Sequence, residues 1–168
     1  MNLFLWGALP YIAFTFLIVG TLVRFFYFER NWTTKSSEFL EKKQLRIANP
    51  LFHFGLLCVI GGHVVGVLVP KAWTAAMGIN DHMYHEGALY MGAVAGIIFI
   101  VGFLLLMKRR FTVAELKVNT SRLDKWLYLF LTLAIFSGMA GTLLNASGFF
   151  DYRVSIGPWF RSLLAFMP

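Results

Sequence analysis

The sequence predicts an all-α integral membrane protein, a bundle of four transmembrane helices. Apolar residues make up 58% of the 168 residues and charged residues only 14%, with a mean hydropathy of +0.68. A chain this short cannot hide so much apolar surface in a soluble core. Four stretches contain no Asp, Glu, Lys or Arg, namely 1–23, 47–70, 87–107 and 126–150. Because these stretches are continuously apolar rather than alternating, they favour helices over strands.

Each stretch is long enough to cross a bilayer, which takes about 20 helical residues. We expect spans at about 3–25, 50–70, 86–107 and 125–147, all within one domain covering 1–168. Pro50 marks the expected start of the second helix, since a first-turn proline loses no hydrogen bond. Asp151, Arg153 and Arg161 interrupt the last stretch. That stretch is therefore expected to form a loop with a short interfacial helix.

Composition excludes several other classes of protein. The single cysteine, Cys58, rules out a disulfide framework and an iron–sulfur cluster held by this chain alone. The net charge of +7 does not indicate nucleic-acid binding, because eleven of the fifteen basic residues lie in two segments, 29–49 and 108–125. Basic residues near span ends stay in the cytoplasm, so we expect both segments inside and the N-terminus outside.

Two histidines lie within the second span, His53 and His63. Ten residues separate them by about 15 Å along a helix and about 80° around it, so they mark two depths on one side. Three interpretations remain open at this point. Each histidine could be an axial ligand of its own haem, the pair could relay protons, or each could only hydrogen-bond a neighbouring helix.

The haem interpretation raises the question of a second axial ligand. His82 and His85 lie just before the third span, on the side of His63 and far from His53. His53 therefore has no histidine partner in this chain, and we expect the partner on another subunit or on a further helix. Since the sequence ends just after an even number of spans, we expect a missing fifth helix.

Six segments then resemble one family, the gamma subunit of respiratory nitrate reductase, a cytochrome b membrane subunit. They cover the chain in order, and the segment His82-Met-Tyr-His85 is similar to Gram-positive members. The matching segments are Leu9–Ile12, Trp32–Glu38, Leu51–Gly55 with Gly61–His63, His82–His85, Lys108–Arg110, and Phe150–Arg153 through Gly157–Phe160. The resemblance implies a five-helix parent, of which this chain resembles a version lacking the last helix.

The resemblance also implies cofactors and ligands. His53 would bind the iron of the proximal b haem and His63 that of the distal b haem, so that this chain supplies one axial ligand to each. Arg110 matches a position that contacts a propionate of the proximal haem. Gly62, Tyr84 and His85 match the region where the family binds quinol, here expected to be menaquinol. No catalytic residue for nitrate chemistry is expected in this chain.

The implied function is quinol oxidation in the bacterial cytoplasmic membrane. Electrons would pass to an iron–sulfur beta subunit and then to a molybdenum-containing alpha subunit, which reduces nitrate to nitrite. Two alternatives belong to other classes: a membrane anchor or assembly fragment without redox activity, and a haem-b subunit of another quinol-linked oxidoreductase. A reducible b-type absorption band would separate the redox interpretation from the anchor.

Overall fold

The protein is helical in its computed structural model, which describes residues 2–28 and 38–167 and has no strand among them. A π-helical turn, Phe4–Ala8, runs directly into the first α-helix. The α-helices are α1 Leu9–Tyr27, α2 Lys43–Leu68, α3 Lys71–Ala76, α4 Asp81–Thr112, α5 Ala114–Val118, α6 Arg122–Ala146 and α7 Ile156–Leu164.

Within the described residues, four helices are long and apolar enough to cross a membrane, which confirms the predicted fold class. They are Phe4–Tyr27, Lys43–Leu68, Asp81–Thr112 and Arg122–Ala146. The second and third extend several residues beyond the predicted spans, because their polar end turns continue the helix past the apolar stretch. The short helix expected in the last stretch is present as α7.

The prediction that Pro50 begins the second helix was wrong. Pro50 lies inside α2, which begins seven residues earlier at Lys43. A proline within a helix removes one backbone hydrogen bond and crowds the preceding turn. The residues before it, Lys43–Asn49, nevertheless form two regular turns, so the helix continues through the proline.

Side-chain caps and one glycine fix the ends of α4 and α6. The Asn80 side chain accepts a hydrogen bond from Met83 N at 2.8 Å, where α4 begins. Ser121 and Asp124 form a reciprocal capping box at the start of α6. Gly148, at φ +73°, reverses the backbone after α6 in a conformation that glycine adopts without strain.

The closest helix contact joins α2 and α4, which run antiparallel. A Cβ on Gly55 would lie 2.6 Å from Phe99 Cα, and a Cβ on Gly102 would lie 2.6 Å from Phe52 Cα. Only glycine permits such backbone approach, which is how small residues bring membrane helices together. The Phe52 and Phe99 rings, with centroids 5.2 Å apart, fill the adjoining space.

The two ends of this helix pair differ in chemistry. At the end where α2 begins and α4 ends, called the basic end below, Arg109 Nε donates to Glu41 Oε2 at 2.7 Å and is almost fully buried. Phe103 and Phe111 there contact Tyr128 of α6, with ring centroids 6.1 and 5.7 Å away. The opposite end, where α2 ends and α4 begins, is called the α3 end.

The chain divides into two compact units, Met1–Ser36 with Arg161–Pro168 and Ser37–Phe160. In the first unit, the Tyr11 hydroxyl donates to Leu163 O at 2.8 Å and its ring stacks on Phe166. The second unit contains α2 and α4 and all the candidate site residues.

Candidate functional site

His53 lies on α2 one residue after Phe52, toward the basic end. Its Nδ1 is 2.9 Å from the carbonyl oxygen of Asn49, one turn earlier. A carbonyl oxygen only accepts hydrogen bonds, so this contact assigns the ring proton to Nδ1. Nε2 then carries the lone pair that a metal ion needs. The ring is exposed on the surface of the helix pair.

His63 repeats the arrangement ten residues later. Its Nδ1 is 2.7 Å from the carbonyl oxygen of Val59, and its ring is also exposed. A metal-binding histidine commonly donates its second ring nitrogen to a backbone carbonyl, which fixes the tautomer and the ring direction. The sequence analysis did not identify this second partner for either histidine. In both histidines the contact with the backbone is made by Nδ1 and not by Nε2.

The two histidines lie at different angles to the face of α2 that contacts α4. The buried residues of α2 are Ala48, Gly55 and Gly66, whose spacing of seven and eleven places them on one helix face. His63 lies about 70° around the helix from that face and His53 about 150°, at two different depths. His63 is therefore beside the face that contacts α4, whereas His53 is turned away from it.

Open space adjoins His63. Apart from adjacent residues and the nearby backbone of α2 itself, no described atom lies within 4 Å of the position that a Cβ would take on Gly61 or Gly62. Continuing the register that pairs Gly55 with Phe99 places Gly62 level with Gly92, whose Cβ position is equally open. We call the space beside Gly62 and Gly92 the glycine gap. Both glycines are exposed, so this space is open rather than enclosed.

Arg110, the expected propionate contact, already has a carboxylate partner. Its Nη2 donates to Asp124 Oδ2 at the start of α6. Its Nε is buried and has no hydrogen-bond partner among the described residues. A buried N–H of a guanidinium without an acceptor is unfavourable. Arg110 therefore retains one donor for an additional anionic group.

The expected quinol residues Tyr84 and His85 lie in the first two turns of α4, and both are half-buried. In the antiparallel helix register, His85 lies six residues from the position of α4 that is level with His63. His85 is therefore about 9 Å nearer the α3 end than His63. His82 is exposed on the same helix turn. The structure therefore places His63 and Gly62 together, and Tyr84 and His85 in a neighbouring position.

The sequence analysis missed a group of polar side chains around Tyr84, which we call the outer cluster. It joins two parts of the chain that are far apart in sequence, 71–84 and 151–153. Its members are Lys71 and Thr74 of α3, Asp81 and Tyr84 of α4, and Asp151, Tyr152 and Arg153 of the loop before α7. Phe150–Arg153 contributed to the family resemblance, but no local pattern linked these residues to Tyr84.

Ion pairs hold the outer cluster together. Lys71 Nζ lies 2.9 Å from Asp151 Oδ2 and 3.5 Å from Asp81 Oδ2. The hydrogen bond to Asp151 raises the pKa of Lys71 despite partial burial. Burial alone would raise the pKa of Asp151, but the hydrogen bond from Lys71 and the one from Arg153 N bring it below its ordinary value. Both groups are therefore charged at neutral pH.

The described residues contain no group of three or more His, Cys, Asp or Glu side chains that could together hold a metal ion. Each histidine thus has to be considered as a separate ligand. Haem suits this donor set, because its porphyrin supplies four ligands and the protein needs to add only axial ones. The exposed imidazoles, the space beside Gly62 and the donor on Arg110 fit such a group.

Comparisons with known proteins agree on one family. Residues 2–168 match the nitrate reductase gamma subunit family. The nitrate reductase gamma chain of Bacillus subtilis is 45% identical over 165 residues, covering 98% of this chain and 74% of that protein. The nitrate reductase-like protein NarX of Mycobacterium tuberculosis is 39% identical over 97% of this chain and 26% of its own length. The respiratory nitrate reductase 1 gamma chain of Escherichia coli is 30% identical over 74% of this chain, which spans 55% of that relative.

Proposed function

Because the chain belongs to the nitrate reductase gamma subunit family, we propose that it oxidises membrane quinol and passes the electrons to cytoplasmic partners that reduce nitrate. The observation that carries this proposal is the pair of exposed histidines on α2 whose Nδ1 atoms contact the backbone, His53 and His63. The two depths of the pair suit a path across the membrane.

His53 and His63 would each hold one b haem through the imidazole. Haem, when bound, supplies one-electron transfer. The helix backbone orients each imidazole through its Nδ1, so both rings are directed before the cofactor binds. Arg110 would donate its remaining N–H to a propionate of the haem near His53. The glycine gap would admit the haem near His63, since a larger side chain at Gly62 would fill the space beside that imidazole.

Quinol would bind near His63, in contact with Gly62, Tyr84 and His85. Its oxidation to quinone releases two electrons and two protons. A group that accepts a proton has to lie within hydrogen-bond reach of the quinol hydroxyl, and His85 and Tyr84 are the candidates at this end of the helix pair. The electrons then have to move toward His53 and the basic end.

Electron transfer toward cytoplasmic partners requires the His53 end of the helix pair to face the cytoplasm. We propose that the basic end faces the cytoplasm and the N-terminus lies outside, as the distribution of Lys and Arg predicts. An iron–sulfur beta subunit would then accept electrons near His53, and a molybdenum-containing alpha subunit would reduce nitrate. Proton release outside together with inward electron transfer would build a membrane potential.

The test uses the complete complex in native membranes, with His53→Ala, His63→Ala and, as a matched control, the exposed His82→Ala. Reduced-minus-oxidised absorption spectra should show two b haems in the unaltered complex and one in each of the first two variants. His63→Ala should abolish quinol-dependent nitrate reduction. His53→Ala should leave the remaining haem reducible by quinol while electron delivery to the partner stops.

His82→Ala should retain both haems and full activity. An unaltered complex without a reducible b-type band would contradict the proposal and support a membrane anchor instead. Full haem content in both His53→Ala and His63→Ala would show that other residues hold the cofactor.

A further inference from the structure

Tyr84 is held by two consecutive residues of the loop before α7, Tyr152 and Arg153. These residues have no role in the function described so far. Each contacts Tyr84 in a different way, one at the ring face and one at the hydroxyl. Both contacts join positions almost 70 residues apart in sequence.

Arg153 covers the face of the Tyr84 ring. Its Cζ lies 3.6 Å from the ring centroid, in the geometry of a cation–π contact. The side chain is only 6% exposed, and Nη2 donates to Thr74 Oγ1 at 3.0 Å while Nη1 lies 3.7 Å from Asp81 Oδ1. Nε and Nη1 are buried without a hydrogen-bond partner among the described residues, so the close contacts of the guanidinium are Thr74 and the Tyr84 ring. Arg153 therefore holds one face of the Tyr84 ring in place.

Tyr152 interacts with the hydroxyl of Tyr84, whereas Arg153 covers its ring. The Tyr152 ring lies against Gly66 of α2, where an added Cβ would be 3.0 Å from a ring carbon. Its hydroxyl is hydrogen-bonded to the Tyr84 side chain. Burial, together with the neighbouring Tyr84, raises the pKa of Tyr152 to about 12. The phenol therefore stays protonated and keeps this hydrogen bond over the physiological range of pH.

We propose that Tyr152 and Arg153 are positioning residues for quinol oxidation, which fix the ring and the hydroxyl of Tyr84 in the orientation that meets the quinol. This inference rests on the proposed function, in which Tyr84 contacts quinol. The physical reason is that a reacting hydroxyl and its hydrogen-bond partner have to meet at a defined distance and angle, and small misplacements slow the reaction strongly. A tyrosine held at its ring and its hydroxyl keeps that geometry, whereas an exposed one samples several rotamers.

A double-mutant cycle in the complete complex tests this inference. The variants are Tyr84→Phe, Tyr152→Phe and the double variant, and kcat/KM is measured for a soluble quinol analogue. Tyr84→Phe should lower kcat/KM about tenfold, as expected for one lost hydrogen bond to the reacting group. Tyr152→Phe keeps the ring on Gly66 and should lower kcat/KM about threefold. The double variant should equal Tyr84→Phe alone, because no hydroxyl remains to be positioned.

Arg153→Lys tests whether the planar guanidinium over the Tyr84 ring is needed for quinol oxidation. Lysine retains the charge but cannot stack as a plane, so we expect a loss of about threefold in kcat/KM for the quinol analogue. Recovery of the unaltered value in Arg153→Lys would show that charge alone matters and would overturn the role assigned to Arg153.

Two controls separate positioning from general damage. Tyr90→Phe removes a hydroxyl from an exposed tyrosine two turns along α4 and should leave kcat/KM unchanged. Nitrate reduction driven by a soluble dye that reduces the cytoplasmic subunits directly should be unchanged in every variant. Multiplicative losses in the double variant, or unchanged quinol kinetics in Tyr152→Phe, would overturn the inference alone. An unaltered complex that reduces nitrate with the dye but not with quinol would overturn the proposed function together with it.

Discussion

The two halves of the α2–α4 helix pair differ in how they are filled. In the basic half, the glycines meet backbone directly, with Gly55 against Phe99 and Gly102 against Phe52. In the α3 half, Gly62 and Gly92 have no described atom in contact distance of a Cβ. Glycine thus allows backbone contact in the basic half, whereas in the α3 half it leaves space beside Gly62 and Gly92 and accommodates the Tyr152 ring at Gly66.

The polar contacts at the two ends differ in burial. At the basic end, the side chain of Arg109 is 4% exposed and that of Glu41 17%. At the α3 end, the side chains of Lys71 and Asp151 are 36% and 49% exposed, although that of Arg153 is only 6% exposed. Buried pairs depend strongly on both partners, whereas exposed pairs contribute little and are screened by salt. The Arg109–Glu41 pair therefore has the features of a structural support, whereas the Lys71–Asp151 pair does not.

Truncating the buried Leu116 should have the largest effect on stability. Leu116 is fully buried in α5 at the basic end, so Leu116→Ala should destabilise the protein by about 3 kcal/mol through lost contacts and a cavity. The matched control is Leu123→Ala, because Leu123 is 80% exposed and should change the unfolding free energy by less than about 0.5 kcal/mol. Unfolding by a denaturing detergent measures both. Equal losses would contradict the structural role of the basic end.

Adding one methyl group to each half tests the contrast between the glycines. Gly102→Ala places a Cβ against the Phe52 backbone and should destabilise the protein by about 2 kcal/mol as the helices separate. Gly92→Ala meets open space and should be neutral or stabilise by up to about 1 kcal/mol, because alanine favours the helix. The same detergent titration applies. If Gly92→Ala destabilised the protein as much, the glycine gap would be closed in the folded protein.

The sequence predicted the four long helices because hydropathy and charge are local properties. It placed their ends less well, since a hydropathy pattern detects only the apolar part of a helix. The first turns of α2, from Lys43, and the charged last turn of α4 are polar and continue the helix beyond the apolar stretch. Pro50 is a common start signal, and it was misleading because the helix continues on both sides.

The candidate site was predictable in part. His53, His63 and Gly62 were selected from the sequence, but the hydrogen bonds that orient both imidazoles depend on side-chain rotamers, which a sequence pattern does not contain. The contacts between Arg153 and Tyr84 and between Lys71 and Asp151 join residues 69 and 80 positions apart. Only the packing of the loop against α3 and α4 brings them together. The opposite charges of these segments gave a weak signal that sequence analysis alone could not turn into pairs.

Removing the exposed ion pair at the α3 end should have the smallest effect. Lys71→Met should destabilise the protein by at most about 1 kcal/mol at pH 7, and 1 M salt should remove most of the difference.

The pKa of Asp151 is lowered on folding, so the contribution of this pair is complete above its ordinary pKa and disappears as the pH falls through the lowered value. The pKa of Lys71 is raised, so the contribution is retained up to alkaline pH and is lost only above its ordinary pKa. The difference between Lys71→Met and the unaltered protein should therefore be flat from about pH 5 to pH 9 and vanish near pH 2. Lys117→Met, at an exposed lysine of the basic end, is the matched control and should show no such pH dependence. A loss of several kcal/mol in Lys71→Met would mean that the α3 end is as much a structural support as the basic end.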